Sequence, residues 1–245
     1  MMKHTCSAVI LILANAGIAT VAGAAASADQ YSVMGYQLGM NFADFSAMPL
    51  PAAAKESTDR RQVKLLCAGD PVLRHNVIGY VEGDFDIDRK IGVKTCAFME
   101  PESAGKSNWW MPVRIDVAER PMTWLFDFID PNEGDGKNDD GTTELFSIRA
   151  EYLPDWQHRT EPVDGMTNAL ENAFGPAESL DFGSGSRHMW SNGESWAQLS
   201  IDKPVMQEAS TKLSLVVNHV QLLEEYKRRY QEESGLEATL PSISY

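Results

Sequence analysis

Seven carboxylates and one lysine lie between Asp127 and Glu144, in a stretch that runs Asp130-Pro131-Asn132-Glu133-Gly134-Asp135-Gly136 and then Asn138-Asp139-Asp140-Gly141. Carboxylates interleaved with glycine are the raw material of a calcium loop, which needs oxygen ligands at alternating positions and a glycine at the sixth. With Gly141 sixth, the first ligand position falls on Gly136; with Gly136 sixth, it falls on Pro131. Neither register makes an EF-hand. A polar loop joining two strands accounts for the same composition, with an irregular Ca²⁺ site as the alternative. A second acidic stretch places Glu82, Asp84, Asp86 and Asp88 in alternation with Gly83, Phe85 and Ile87. On a strand these four share one face about 6.6 Å apart, too far for neighbours to chelate one ion directly. The basic Arg89 and Lys90 that follow favour a solvated outer face. As acid–base pairs, Asp84 with Asp86 or Asp139 with Asp140 would serve a cell-wall hydrolase.

Other chemistry is sparse. Gly105-Lys106-Ser107 repeats the end of a phosphate-binding loop, but Glu100 stands where that loop needs its first glycine. A carboxylate there repels phosphate, and Trp109-Trp110-Met111-Pro112 downstream is strand-like where a helix N-terminus is required. The segment reads as a turn between strands, with no nucleotide bound. His75, His158, His188 and His219 show no metal-ligand spacing, and Gly183-Ser184-Gly185-Ser186 is out of phase with a nucleophile elbow. Ser186 and His188 are neighbours in sequence, whereas catalytic triads assemble in space. No catalytic residue is assigned, and calcium is the one cofactor the residues allow for.

The compartment is written at the start. Lys3 and His4 precede an apolar stretch from Ala8 to Ala22, and Ala26-Ser27-Ala28 leads into the polar Asp29. This is the layout of a secretory signal peptide cleaved after residue 28, with an uncleaved anchor as the rival reading. Cys6 precedes the apolar stretch, so it is not at the cleavage point where a lipoprotein carries its lipid. The expectation is a periplasmic or secreted protein with no membrane span after cleavage. The net charge of −14, or −15 once Lys3 leaves, opposes nucleic acid and anionic headgroups and favours a basic protein partner.

The remaining chain is long enough for a sizeable core, and 43% hydrophobic residues with six tryptophans argue for an ordered one. Cys67 and Cys96 lie in the echoing segments Val63–Cys67 and Val93–Cys96 and, in an oxidising compartment, predict a structural disulfide on adjacent strands. Strands are expected over Val63–Cys67, Val77–Asp88, Ile91–Met99, Trp109–Val117, Met122–Ile129 and Leu145–Leu153, and again over Glu178–Phe182, Arg187–Ser191, Ser195–Ile201 and Thr211–Val217. Within Met122–Ile129 the alternation of Trp124, Phe126 and Phe128 marks one aromatic face. Three helices are expected: a short one capped by Asn41 and stopped before Pro49, one over Val163–Phe174 ended by Gly175-Pro176, and one from about Val220 to Glu233. The fold class is α+β, antiparallel sheets with short helices. Two similar halves, 29–155 and 156–233, follow the leader, and 234–245 forms a loose tail.

Gly35, Leu38, Gly39 and Met40 before a short helix, and later Phe174-Gly175-Pro176 with Trp190-Ser191-Asn192-Gly193, resemble segments of uncharacterised exported proteins of Gram-negative bacteria. Their halves are similar to small-lipoprotein and β-lactamase-inhibitor-like modules. The resemblance implies a binding module and transfers no catalytic residue. The expected function is therefore non-catalytic protein binding, as in an inhibitor or immunity protein. A cell-wall hydrolase and a structural or calcium-dependent envelope component are the alternatives. The expected contact surfaces are Asp127, Asp130, Asp135, Asp139 and Asp140 in one stretch and Glu82, Asp84, Asp86 and Asp88 in the other.

Overall fold

The structure, a computed structural model, describes residues 30–50, 63–73, 85–101, 110–117, 120–131, 142–152, 164–203 and 211–235. In chain order the elements are β1 (Ser32–Val33), β2 (Tyr36–Gln37), α1 (Phe42–Ala47), β3 (Lys64–Cys67), α2 (Phe85–Lys90), β4 (Val93–Pro101), β5 (Trp110–Pro112), β6 (Arg114–Val117), β7 (Arg120–Ile129) and β8 (Glu144–Tyr152). There follow α3 (Asp164–Phe174), β9 (Glu178–Phe182), β10 (Gly185–Ser191), β11 (Ser195–Asp202), β12 (Lys212–His219) and α4 (Val220–Ser234). β1 and β2 form a small ribbon, and the other ten strands form one open antiparallel sheet in the order β3-β4-β7-β8-β12-β11-β10-β9. The α+β architecture expected from the sequence is the one that folds. Two runs of strands meet at their last members, β8 against β12, with Leu215 opposite Ala150 at the middle of the seam.

β4 and β7 part company along their length. β4 pairs with β7 through Val93–Cys96 but with β5 through Met99–Pro101, while β6 takes up Arg120–Thr123 of β7. Residues 110–117 thus enter the sheet where the two long strands diverge, and the Val113 N–H donates to the Phe98 carbonyl at 2.8 Å. Gly105-Lys106-Ser107 lies outside the described residues, between β4 and β5, whose ends pair Pro101 with Trp110.

The alternation in β7 is realised as two faces. Met122, Trp124, Phe126 and Phe128 are buried on one side in the main core, with Phe98, Ile148, Leu199 and Leu215 from neighbouring strands. The N-terminal segment closes over this face. Met34 and Gly35 take positive φ of 55° and 87° in the two-residue turn between Val33 and Tyr36, the backbone that favours Gly at the second position. That turn delivers Tyr36 into the core, where it meets Phe45 at 4.6 Å and Phe126 at 5.3 Å between ring centroids. α1 begins as expected, with the Asn41 side chain accepting from the Asp44 N–H at 2.8 Å. Farther along, α3 lays Met166 and Leu170 on the same core, and Phe174 stacks on Tyr31 at 4.4 Å. Gly175, with φ of 93°, ends that helix.

The opposite face carries α4 and α2. Between Asp127 and Phe128 the register shifts so that Asp127 opposes Ser147 and Phe128 opposes Leu145, leaving Phe146 as the extra residue of a bulge. The bulge keeps Leu145 in the aromatic core and sends Phe146 to the other side, where it joins Leu222, Leu223, Tyr226 and Tyr230 of α4. Along the exposed side of α4, hydrogen bonds from Arg228, reinforced by Arg229, outweigh burial and hold the Glu225 carboxyl below its ordinary value, at about 2. No helix among the described residues is long and apolar enough to cross a membrane.

One expected strand is wrong in part. Phe85–Asp88, read from the sequence as the end of strand Val77–Asp88, belongs to the helix α2, which runs on to Lys90. The Ile91 N–H donates to the Ile87 carbonyl at 3.0 Å, an i→i−4 bond. Ile87 and Ile91, one turn apart, both pack on the α4 cluster. Over so few residues, apolar positions spaced by two and by four suit either period, and packing against α4 selects the helix.

Cys67 and Cys96 face each other in register on β3 and β4 and are bonded, S–S 2.03 Å, across a separation of 29 residues. The echoing segments are therefore neighbouring strands. Closing such a loop contributes about 3–4 kcal/mol in the chain-entropy description. We expect Cys67→Ala/Cys96→Ala to lower the unfolding free energy by about that amount, read as a lower urea midpoint, with a steeper slope because the released denatured chain exposes more surface. A midpoint unmoved by the double substitution would show that β3 is held without the bond.

Candidate functional site

Polar residues cross the α4 side of the sheet in one row. Register aligns Thr95 of β4, Asp127 of β7, Ser147 of β8 and Asn218 of β12 as successive neighbours. Arg149, next but one to Ser147 on β8, points to the same side. Its Nε donates to Asp127 Oδ2 at 2.7 Å and its terminal nitrogen to Oδ1 at 2.8 Å, while the Thr95 hydroxyl donates to Oδ1 at 2.6 Å. The Arg149 and Asp127 side chains are only 7% and 4% exposed. Burial pulls the Arg149 pKa down, but Asp127, with lesser help from Asp88 and Tyr226, outweighs it, and the net shift is upward. Tyr226 is pushed up, by burial first and by the nearby Asp88 and Asp127 carboxylates, and stays neutral. Three donors fill most of the acceptor sites of the Asp127 carboxylate and tie β4, β7 and β8 together through it.

Beyond this pair, Ser147 Oγ and both amide atoms of Asn218 are buried and make no hydrogen bond among the described residues. His219, which follows Asn218 and starts α4, has its pKa lowered by burial against the opposing pull of Glu194. This row was not anticipated. Its signal was an arginine inside the strand-like run Leu145–Leu153, but pairing it with Asp127 needs the register of β7 on β8.

A second polar group sits on the other side of the sheet, at its β9 end. His188 lies between two hydroxyls, with Ser179 Oγ 2.8 Å from Nδ1 and Ser186 Oγ 3.3 Å from Nε2. The sequence neighbours Ser186 and His188 are thus brought together, and β9 adds Ser179. A hydroxyl, a base and an orienting group are present. Ser186, however, is in mid-ladder with β9 and β11 on its two sides, and its neighbouring amides are committed to those strands. Ser186 thus lacks an amide pair of its own strand to hold an oxyanion, and among the described residues the trio is a hydrogen-bonded clamp between β9 and β10.

The acidic positions singled out from the sequence divide. Asp127 and Asp130 are buried, at 3% and 6% exposure, so neither belongs to a contact surface; the Asp130 N–H donates to the Gly92 carbonyl at 3.3 Å. Asp135, Asp139, Asp140, Glu82 and Asp84 lie outside the described residues, as does the side chain of Asp86. Asp88 sits half-buried on α2 and faces the Arg149 region electrostatically. Asp86 and Asp88, the two of the four alternating carboxylates that fall in a described element, lie on the helix α2 and not on a strand. Among the described residues no group of three metal-ligating side chains converges.

Among the described residues, the α4 side of β9, β10 and β11 is left open. β9 is exposed along nearly its whole length, and Arg187, Met189 and Ser191 of β10 are exposed while the alternate residues face inward. Leu180 is 56% and Met189 38% exposed, two of the most exposed large hydrophobics among the described residues. They are close neighbours, since Leu180 opposes Arg187 and Glu178 opposes Met189. Half-buried Trp196 and Gln198 of β11 continue the surface. No protein-family model, curated protein or solved structure matches this chain.

Proposed function

We propose that this is an exported, non-catalytic module that binds a basic protein partner through the open face of β9–β11. The observation that carries the reading is that face: an uncovered, mixed apolar and charged sheet surface centred on Leu180 and Met189 in a chain of net charge −14. Exposed apolar residues rimmed by polar ones mark interaction surfaces, and the acidic field speeds encounter with a basic partner and rejects acidic ones. The leader, the disulfide and the resemblance to exported modules support placement in the periplasm.

The test is capture from envelope extract by the tagged mature protein at about 0.05 M and about 0.5 M salt, since screening shortens the Debye length several-fold over that range. We expect one captured protein, lost at high salt and lost with Met189→Lys. Neutralising Asp135, Asp139 and Asp140 together probes the acidic stretch separately. Capture indifferent to salt and to Met189→Lys would overturn the reading, and capture lost only with the triple variant would move the contact to that stretch.

A further inference from the structure

From the geometry of β9 we infer that the protein pairs with a second copy of itself, edge to edge, through Glu178–Phe182. β9 is the terminal strand of the sheet among the described residues. The two edges differ in how they are guarded. β3, at the other end, is a four-residue strand that carries Lys64 and a disulfide cysteine. β9 contains neither lysine nor proline, the residues that most often block edge pairing, and it is unbulged along its register with β10.

The backbone polarity follows from the hairpin. Phe182 and Gly185 flank a two-residue loop, and in such hairpins the flanking pair exchanges both hydrogen bonds, after which bonded residues alternate. Phe182, Leu180 and Glu178 therefore bond inward to β10, and the N–H and C=O of Ser179 and Asp181 point off the edge.

A two-fold axis through Leu180 uses those groups fully. It sets Ser179 opposite the partner's Asp181 and Asp181 opposite the partner's Ser179, so that each outward N–H meets an outward carbonyl. Leu180 meets the partner's Leu180 on the open face, burying the most exposed hydrophobic side chain among the described residues. Glu178 comes opposite the partner's Phe182, the ring over which Arg187 lies at 5.5 Å, so each guanidinium gains a carboxylate from the other copy. Five residues of one strand are complementary to themselves in hydrogen bonding, apolar contact and charge, as an isologous interface requires. Because the axis is perpendicular to the sheet, both open faces end on one side. A partner that reads this face then meets two of them, which is where the inference rests on the function proposed above.

The test needs only the purified chain. Sedimentation equilibrium is run to about 1 mM at about 0.15 M salt, where a Debye length of about 8 Å screens the mutual repulsion of two acidic chains. We expect a monomer–dimer equilibrium. Asp181→Pro removes one outward N–H per copy at an edge position where proline is tolerated; it weakens the dimer at least about tenfold. Leu180→Lys puts two ammonium groups face to face and weakens it by a similar factor, about tenfold or more. Circular dichroism and the urea midpoint of each monomer stay unchanged. A chain that remains monomeric throughout, or a dimer indifferent to both substitutions, would overturn the inference. Partner capture by monomeric Asp181→Pro is scored separately, so the dimer can fail while the binding function stands.

Discussion

Phe126→Ala is expected to lower the unfolding free energy by about 3–5 kcal/mol. Phe126 is fully buried at the point where the N-terminal segment, β4 and β7 meet. Its ring lies 4.8 Å from Phe45, 5.3 Å from Tyr36 and 5.7 Å from Phe98. Removing it opens a void walled by three rings attached to three different elements. These cannot collapse together, because α1 is fixed by its Asn41 cap and β4 by its ladder. Edge-on contacts between the rings are lost with it. Urea unfolding followed by tryptophan fluorescence reads the effect, since Trp124 sits two residues away on the same face. A loss below about 1 kcal/mol would mean that the N-terminal segment is not seated on this face.

Arg149→Met is expected to cost about 3–5 kcal/mol, because it leaves the Asp127 carboxylate buried without its counterion. Thr95 remains as a donor but cannot neutralise a charge at 4% side-chain exposure. Replacing both partners, Asp127→Leu with Arg149→Met, is expected to recover most of that loss, since an apolar pair of similar volume brings no desolvation cost. The double-mutant cycle isolates the pair from its surroundings. If the single and double substitutions cost the same, Arg149 stabilises through packing and not through Asp127. The cycle also separates this row from the functional surface. Partner capture and self-association on β9 are expected to be unaffected in the stable double variant, because β8 and β9 lie at different places in the strand order.

Much of the strand content was legible because period-two alternation is a local property. β7 shows its aromatic face in three residues, Trp124, Phe126 and Phe128, without reference to any neighbour, and the cap at Asn41 and the glycine stop at Gly175 are equally local. The disulfide was legible for a related reason: Cys67 and Cys96 lie in echoing segments with strand propensity, and such segments can pair in register. α2 was missed where local rules are degenerate. The Phe85–Ile91 pattern satisfies either period, and the choice came from α4, more than a hundred residues away in sequence.

The site was legible in composition and illegible in place. Acidic residues announced themselves as a class, yet Asp127 and Asp130 proved to be interior groups, one neutralised by an arginine whose identity as partner depends on strand register. Register also made the open face. Leu180 and Met189 are unremarkable residues in two separate strands, and only their alignment on a face left open among the described residues, bordered by Trp196 at the α4 cluster, joins them into a surface. By itself, the sequence determined the α+β class, most of the elements, the acidity and the cysteine pair, because propensity, alternation and charge act over a few residues. The tertiary structure alone decided which charges are buried, which edge is unguarded and which face is left uncovered, because each of those depends on the pairing of distant strands.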